Sequence, residues 1–102
     1  MPAQLPLESL KAVSVLVKGR VQGVGFRAFT RRHAMLLGLT GEVKNLPNGS
    51  VRAHIEGNDK RVNQMLQLIQ SGPSLARVDQ VIVSPQDPSG KYKTFEVGLS
   101  RR

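Results

Sequence analysis

The spacing of apolar residues along this chain changes from one period to another and back again, and that succession restricts the fold more than any other feature. Val13, Val15 and Val17 alternate with Ser14, Leu16 and Lys18, the period-two pattern of a strand covered on one face and partly covered on the other. A first strand is expected over 13–19. The run Gly19-Arg20-Val21-Gln22-Gly23-Val24-Gly25 follows. Each glycine would cost roughly 1 kcal/mol inside a helix or strand, so the run reads as a loop. From Phe26 the chain turns to helix formers, with Ala28 and Phe29 echoed seven residues later by Met35 and Leu36, until Gly38 offers a C-terminal cap. The first helix is expected over 26–37.

Residues 42–46 and 50–56 are short β-prone runs joined by Pro47-Asn48-Gly49, and an Asn-Gly pair in that setting signals a hairpin. In the second run Val51, Ala53 and Ile55 alternate with Arg52, His54 and Glu56. Asn58 or Asp59 can then cap a helix whose apolar positions Val62, Met65, Leu66 and Ile69 fall at i, i+3, i+4 and i+7, closed by Gly72-Pro73. Two strands remain, around 77–84 and 93–99, separated by Pro85-Gln86-Asp87-Pro88-Ser89-Gly90. The order strand, helix, strand, strand, helix, strand predicts an α+β ferredoxin-like sandwich (βαββαβ), a mainly antiparallel sheet with two helices on one face. Residues 1–11 are expected to be a flexible N-terminal tail, residues 12–102 a single domain, and Arg101-Arg102 a loose end.

Several function classes drop out on composition. The 102 residues contain no cysteine, so disulfides, thiolate metal sites and thiol nucleophiles are unavailable. The opening MPAQLPLESLKA lacks the basic start and apolar stretch of a signal peptide, and no apolar run approaches bilayer length. A cytoplasmic protein without membrane contact is the expectation. Fifteen Lys and Arg against seven Asp and Glu leave a formal charge of +8, a field that draws anions without selecting among nucleic acid, lipid headgroups and phosphorylated metabolites.

The segment Gly19 to Arg27 sets a glycine-rich loop between a strand and a helix start, where backbone N–H groups and the helix dipole suit a phosphate-sized anion. Arg27 at the helix mouth could grip two phosphate oxygens with its planar guanidinium. On these features alone a phosphate site and a merely tight connection are both open. Asn45 is unusual within a strand, since asparagine favours turns and caps, and on the residue alone pairing with a neighbouring loop is favoured over a functional role.

The run Gly19-Arg20-Val21-Gln22-Gly23-Val24-Gly25-Phe26-Arg27 resembles the first signature of the acylphosphatases. Gly41-Glu42-Val43-Lys44-Asn45-Leu46-Pro47-Asn48-Gly49-Ser50-Val51, with Gly57 beyond it, is similar to that family's second signature, and Gly72-Pro73-Ser74-Leu75-Ala76-Arg77-Val78 also fits. The resemblance spans about residues 13–99 and implies hydrolysis of the carboxyl–phosphate bond of small acyl phosphates. It further implies that Arg20, Val21, Gln22, Gly23, Val24, Gly25 and Phe26 form the loop that cradles the phosphate, that Arg27 binds it and that Asn45 positions water. Glu42 stands where the family usually carries an aromatic residue, which leaves Arg27 and Asn45 untouched but puts the acyl preference in question.

No cofactor and no metal are expected, because no His, Asp and Glu cluster has ligand-like spacing. His33, inside the first helix, and His54, on the polar side of the third strand, read as surface or structural. RNA binding is the rival from another class, yet base-stacking modules display aromatics on central strands, and only Phe26, Phe29, Tyr92 and Phe95 are present. A third reading is a stand-alone relative of the acylphosphatase-like domain of hydrogenase-maturation carbamoyl transferases. The end of the chain at Arg102, with no zinc-finger cysteines or transferase domain after it, favours a free-standing enzyme. A monomer is the expectation for oligomeric state, with no nucleic acid as partner.

Overall fold

The structure is a computed structural model, and residues 9–98 are described. The elements are β1 (Leu10–Arg20), α1 (Phe26–Leu36), β2 (Thr40–Asn45), β3 (Val51–Asn58), α2 (Asp59–Ser71), β4 (Arg77–Gln86) and β5 (Phe95–Val97). They build one sheet in the order β4-β1-β3-β2-β5. The β1–β3, β1–β4 and β2–β3 pairs are antiparallel and the β2–β5 pair is parallel. This is the expected α+β ferredoxin-like sandwich, extended by the short edge strand β5.

Period-two alternation decides which face is covered. Val13, Val15 and Val17 of β1, Val43 of β2 and Val51, Ala53 and Ile55 of β3 are buried in one cluster with Phe26 and Ala34 of α1 and Val62, Met65 and Ile69 of α2. Burying a side chain of Val, Leu or Ile size contributes about 1.5–3 kcal/mol, so this layer dominates the stability of the sandwich. The alternate residues Ser14, Glu42, Lys44, Arg52 and His54 face a separate depression lined also by Gln86 and Tyr92.

Helix α2 follows its expected pattern: Val62, Met65 and Ile69 are buried, Leu66 is half-buried, and the Asn58 side chain caps the start by accepting from Arg61 N. Helix α1 does not. Its buried residues are Phe26, Thr30 and Ala34, while Met35 and Leu36 are 46% and 75% exposed. Thr30 can sit inside because its hydroxyl donates to Phe26 O at 2.9 Å, which removes the cost of burying a free O–H. Gly38 does end the helix, with Gly38 N–H donating to Met35 O and Leu39 N–H to Ala34 O, the paired bonds of a Schellman cap.

Strand β1 starts at Leu10, three residues earlier than expected, because Leu10 and Lys11 pair with Asn58 and Gly57. Those two residues are therefore strand rather than tail. Residues 1–8 of the expected N-terminal tail, the end of the last expected strand and Arg101-Arg102 lie outside the described residues.

Candidate active site

Two connections converge at one end of the sheet: the loop from β1 to α1 and the end of β2. In the loop, Gly23 and Gly25 hold φ of 74° and 82°, the left-handed region that L side chains enter only at a cost of about 1–2 kcal/mol. An added Cβ would meet nothing within 4 Å at either position, so backbone conformation rather than crowding requires glycine there. The Gly25 carbonyl then accepts the first helical bond, from Phe29 N–H at 3.0 Å, and α1 begins with no acidic residue in its first turn. The first turn thus leaves the positive end of the helix dipole uncompensated.

Val21, Gly23, Gly25, Phe26, Arg27, Ala28 and Asn45 enclose a cavity of about 170 Å³. Arg27 and Asn45 are half-buried, and among the described residues neither side chain has a hydrogen-bond or ion-pair partner in the protein. A cation and an amide without partners therefore share a small space beside a helix start, an arrangement suited to one oxyanion and a water molecule.

Of the residues expected to cradle the phosphate, Val21, Gly23, Gly25 and Phe26 line this cavity. Three do not. Arg20 is the last residue of β1, exposed and paired in register with Arg77. Val24 faces an adjoining groove with Phe29 and Pro73. Gln22 turns to the β2–β3 hairpin, where its Nε2 donates to Leu46 O and Ser50 O, both at 2.8 Å. Those two carbonyls belong to a connection that Leu46 N–H to Ser50 O and Gly49 N–H to Leu46 O already hold together. Ala28 is a lining residue that sequence reasoning missed, since a methyl group carries no chemical signature.

Neither histidine reaches the cavity. His33 packs on Phe29, ring centroids 4.6 Å apart. His54 stacks on Tyr92 at 5.3 Å and donates its Nε2–H to Glu56 Oε2 at 2.6 Å. Glu56 also accepts from Ser89 Oγ and from the N–H groups of Ser89 and Gly90. Burial alone would push this carboxyl up, but the bonds from Ser89, His54 and Gly90 prevail and hold it at about 2, against an ordinary 4.5. Glu42 lies in the depression with His54, Lys44 and Arg52 and not beside Arg27, so its departure from the family pattern falls outside the Arg27–Asn45 cavity. Among the described residues no group of three or more His, Asp or Glu side chains is placed to hold a metal ion.

Fold and cavity together define a small α+β sandwich domain with an anion-sized, cation-bearing pocket at a helix start. The acylphosphatase family profile matches residues 13–97. An acylphosphatase of Methanocella arvoryzae is 46% identical over 88 residues, covering 86% of this chain and 99% of its own. The structure of an acylphosphatase from Coxiella burnetii superposes with a TM-score of 0.85 at 31% identity, covering 92% of this chain and 100% of that one. Full-length HypF in its phosphate- and nucleotide-bound form gives 0.84 at 29% identity over 95% of this chain and 13% of that one. The chain belongs to the acylphosphatase family, and the reaction it catalyses is hydrolysis of the carboxyl–phosphate bond of acyl phosphates.

Proposed function

We propose that the Arg27–Asn45 cavity is where this hydrolysis takes place, with Arg27 gripping two phosphoryl oxygens and Asn45 aligning the attacking water. The observation that carries this reading is that the two side chains line one small cavity at a helix start with no partner competing for them among the described residues. The loop N–H groups around Gly23 and Gly25 add donors to the phosphoryl group. The anhydride is already activated and its leaving group is a weakly basic carboxylate, so positioning and charge stabilisation suffice. Water adds to phosphorus as the bond to the carboxylate oxygen breaks, and a phosphoryl oxygen of the substrate takes the water's proton. No side-chain base is needed, in keeping with the distance of both histidines from the cavity.

The proposed enzyme needs neither metal nor cofactor, and it works as a cytoplasmic monomer. No helix among the described residues is long and apolar enough to cross a membrane. RNA binding is disfavoured because Phe26 and Phe95 are 2% and 1% exposed and Phe29 lies on α1, leaving Tyr92, packed on His54, as the single aromatic residue on the open sheet face.

The test is hydrolysis of benzoyl phosphate with EDTA present by the wild type and by folded Arg27→Ala and Asn45→Ala variants. Losing one preorganised donor costs about 2.7–4 kcal/mol, a hundredfold or more in kcat. Both variants should fall at least that far. A folded wild type with no activity, or variants at wild-type rates, overturns the assignment.

A further inference from the structure

The cavity of Arg27 and Asn45 shares Gly25 and Ala28 with a second space beside it. The same two residues form one wall of a groove of about 330 Å³ that continues along α1 past Val24, Phe29 and Arg32 and is bounded across from the helix by Pro73. We infer that this groove is the acyl-group subsite and that it selects acyl phosphates with an apolar, preferably aromatic, body ending in a distal carboxylate. The inference rests on the proposed reading of the Arg27–Asn45 cavity as the phosphate site.

Three features of the structure carry it. The first is direction: an in-line displacement puts water and leaving group on opposite sides of phosphorus. Asn45 lines the cavity but not the groove, so a water held at Asn45 assigns the Gly25–Ala28 side to the departing carboxylate and its acyl chain. The second is lining. Val24, Ala28, Phe29 and Pro73 offer apolar contact, and the tilted ring of Phe29, fixed between Phe26 and His33, suits a flat acyl group.

The third is the charge at the far end. Arg32 is the one ionisable residue in the groove lining, and among the described residues it has no acidic partner. It stands seven residues beyond Gly25, about 10 Å along the helix, and four beyond Ala28, on the same stripe. Helical side chains lean toward the N-terminus, so the Arg32 side chain runs back along the groove toward the phosphate side. A benzene ring with a carboxylate opposite its acyl phosphate group carries its second charge at the end remote from phosphorus, where the Arg32 guanidinium could meet it. Such a rigid diacid also cannot close on itself to a cyclic anhydride.

The experiment compares kcat/KM for 4-carboxybenzoyl phosphate, 4-methylbenzoyl phosphate and acetyl phosphate across wild type, Arg32→Ala, Arg32→Glu and Ala28→Leu. The ratio of the carboxy to the methyl substrate should fall about threefold in Arg32→Ala and about tenfold or more in Arg32→Glu, the range of a partly exposed ion pair and its reversal. Ala28→Leu should lower both aromatic substrates about tenfold relative to acetyl phosphate. If wild type hydrolyses all three while these ratios stay flat across the variants, the subsite is overturned and the phosphate site stands. If folded wild type hydrolyses none, the phosphate-site reading falls and the subsite with it.

Discussion

The Gln22 side-chain amide donates to the Leu46 carbonyl at 2.8 Å, and that bond ties the loop leading to Arg27 to the strand end that carries Asn45. A second bond from the same nitrogen reaches Ser50 O, so one side chain clamps both arms of the β2–β3 connection. Displacement of a reacting group by about 1 Å can cost on the order of a hundredfold in rate. Gln22→Ala should therefore lower kcat for benzoyl phosphate by ten- to a hundredfold while KM changes less. Gln22→Glu, which places a carboxylate against two carbonyls, should be worse. A kcat within twofold of wild type in a folded Gln22→Ala protein would show that the clamp does not position the site.

On the proposed reading Arg27 acts as a planar fork, and charge alone should not replace it. Arg27→Lys keeps the cation but loses bidentate geometry. We expect kcat/KM for benzoyl phosphate to drop at least tenfold, with inhibition by inorganic phosphate weakened in parallel. Equal activity in the lysine variant would mean that a point charge suffices and that the fork contributes nothing.

The legible parts of this molecule are those whose signal is local. Helix α2 could be read because Val62, Met65 and Ile69 are large, apolar and buried at helical spacing. Helix α1 was legible in extent, but its inner face was not: Thr30 and Ala34 carry little hydropathy, whereas Met35 and Leu36 carry much and are exposed. The start of β1 was misplaced because Leu10 and Lys11 are held by pairing with Asn58 and Gly57, which no neighbouring residue announces. At the site, Arg27 and Asn45 stood out by residue type and motif. Gln22 bonds to carbonyls 24 and 28 residues away, so its part became visible only in three dimensions. The same holds for Glu56, whose partners Ser89 and Gly90 lie 33 and 34 residues further on.

Gly25 offers a test of why glycine is needed where the loop enters α1. Its φ is 82°, and an added Cβ would have open space around it. Strain should then be conformational, about 1–2 kcal/mol for alanine, and asparagine, which tolerates this region and can also cap a helix, should recover part of it. Urea unfolding should rank wild type above Gly25→Asn and Gly25→Asn above Gly25→Ala. Equal losses for the two variants would point to crowding instead.

Acid should loosen the strap that Glu56 holds across the sheet. The carboxylate gathers Ser89, Gly90 and His54 around it, and its pKa falls from 4.5 to about 2. A depressed carboxylate pKa gives stability that is complete above the unfolded value and lost as pH drops through the folded one. The loss should therefore run from about pH 5 down to about pH 2, and nothing from this group should change between pH 6 and 8. A hydrogen bond to a charged group contributes about 1.5–3 kcal/mol net, and burial of the carboxylate works against the cluster, so a contribution on the order of 2 kcal/mol is expected. Glu56→Gln should lower stability at pH 7 by about that amount and flatten the decline between pH 5 and 2, as followed by urea midpoints at each pH. If the variant and the wild type lose stability in parallel over that range, other carboxylates govern the acid response and the Glu56 cluster does not.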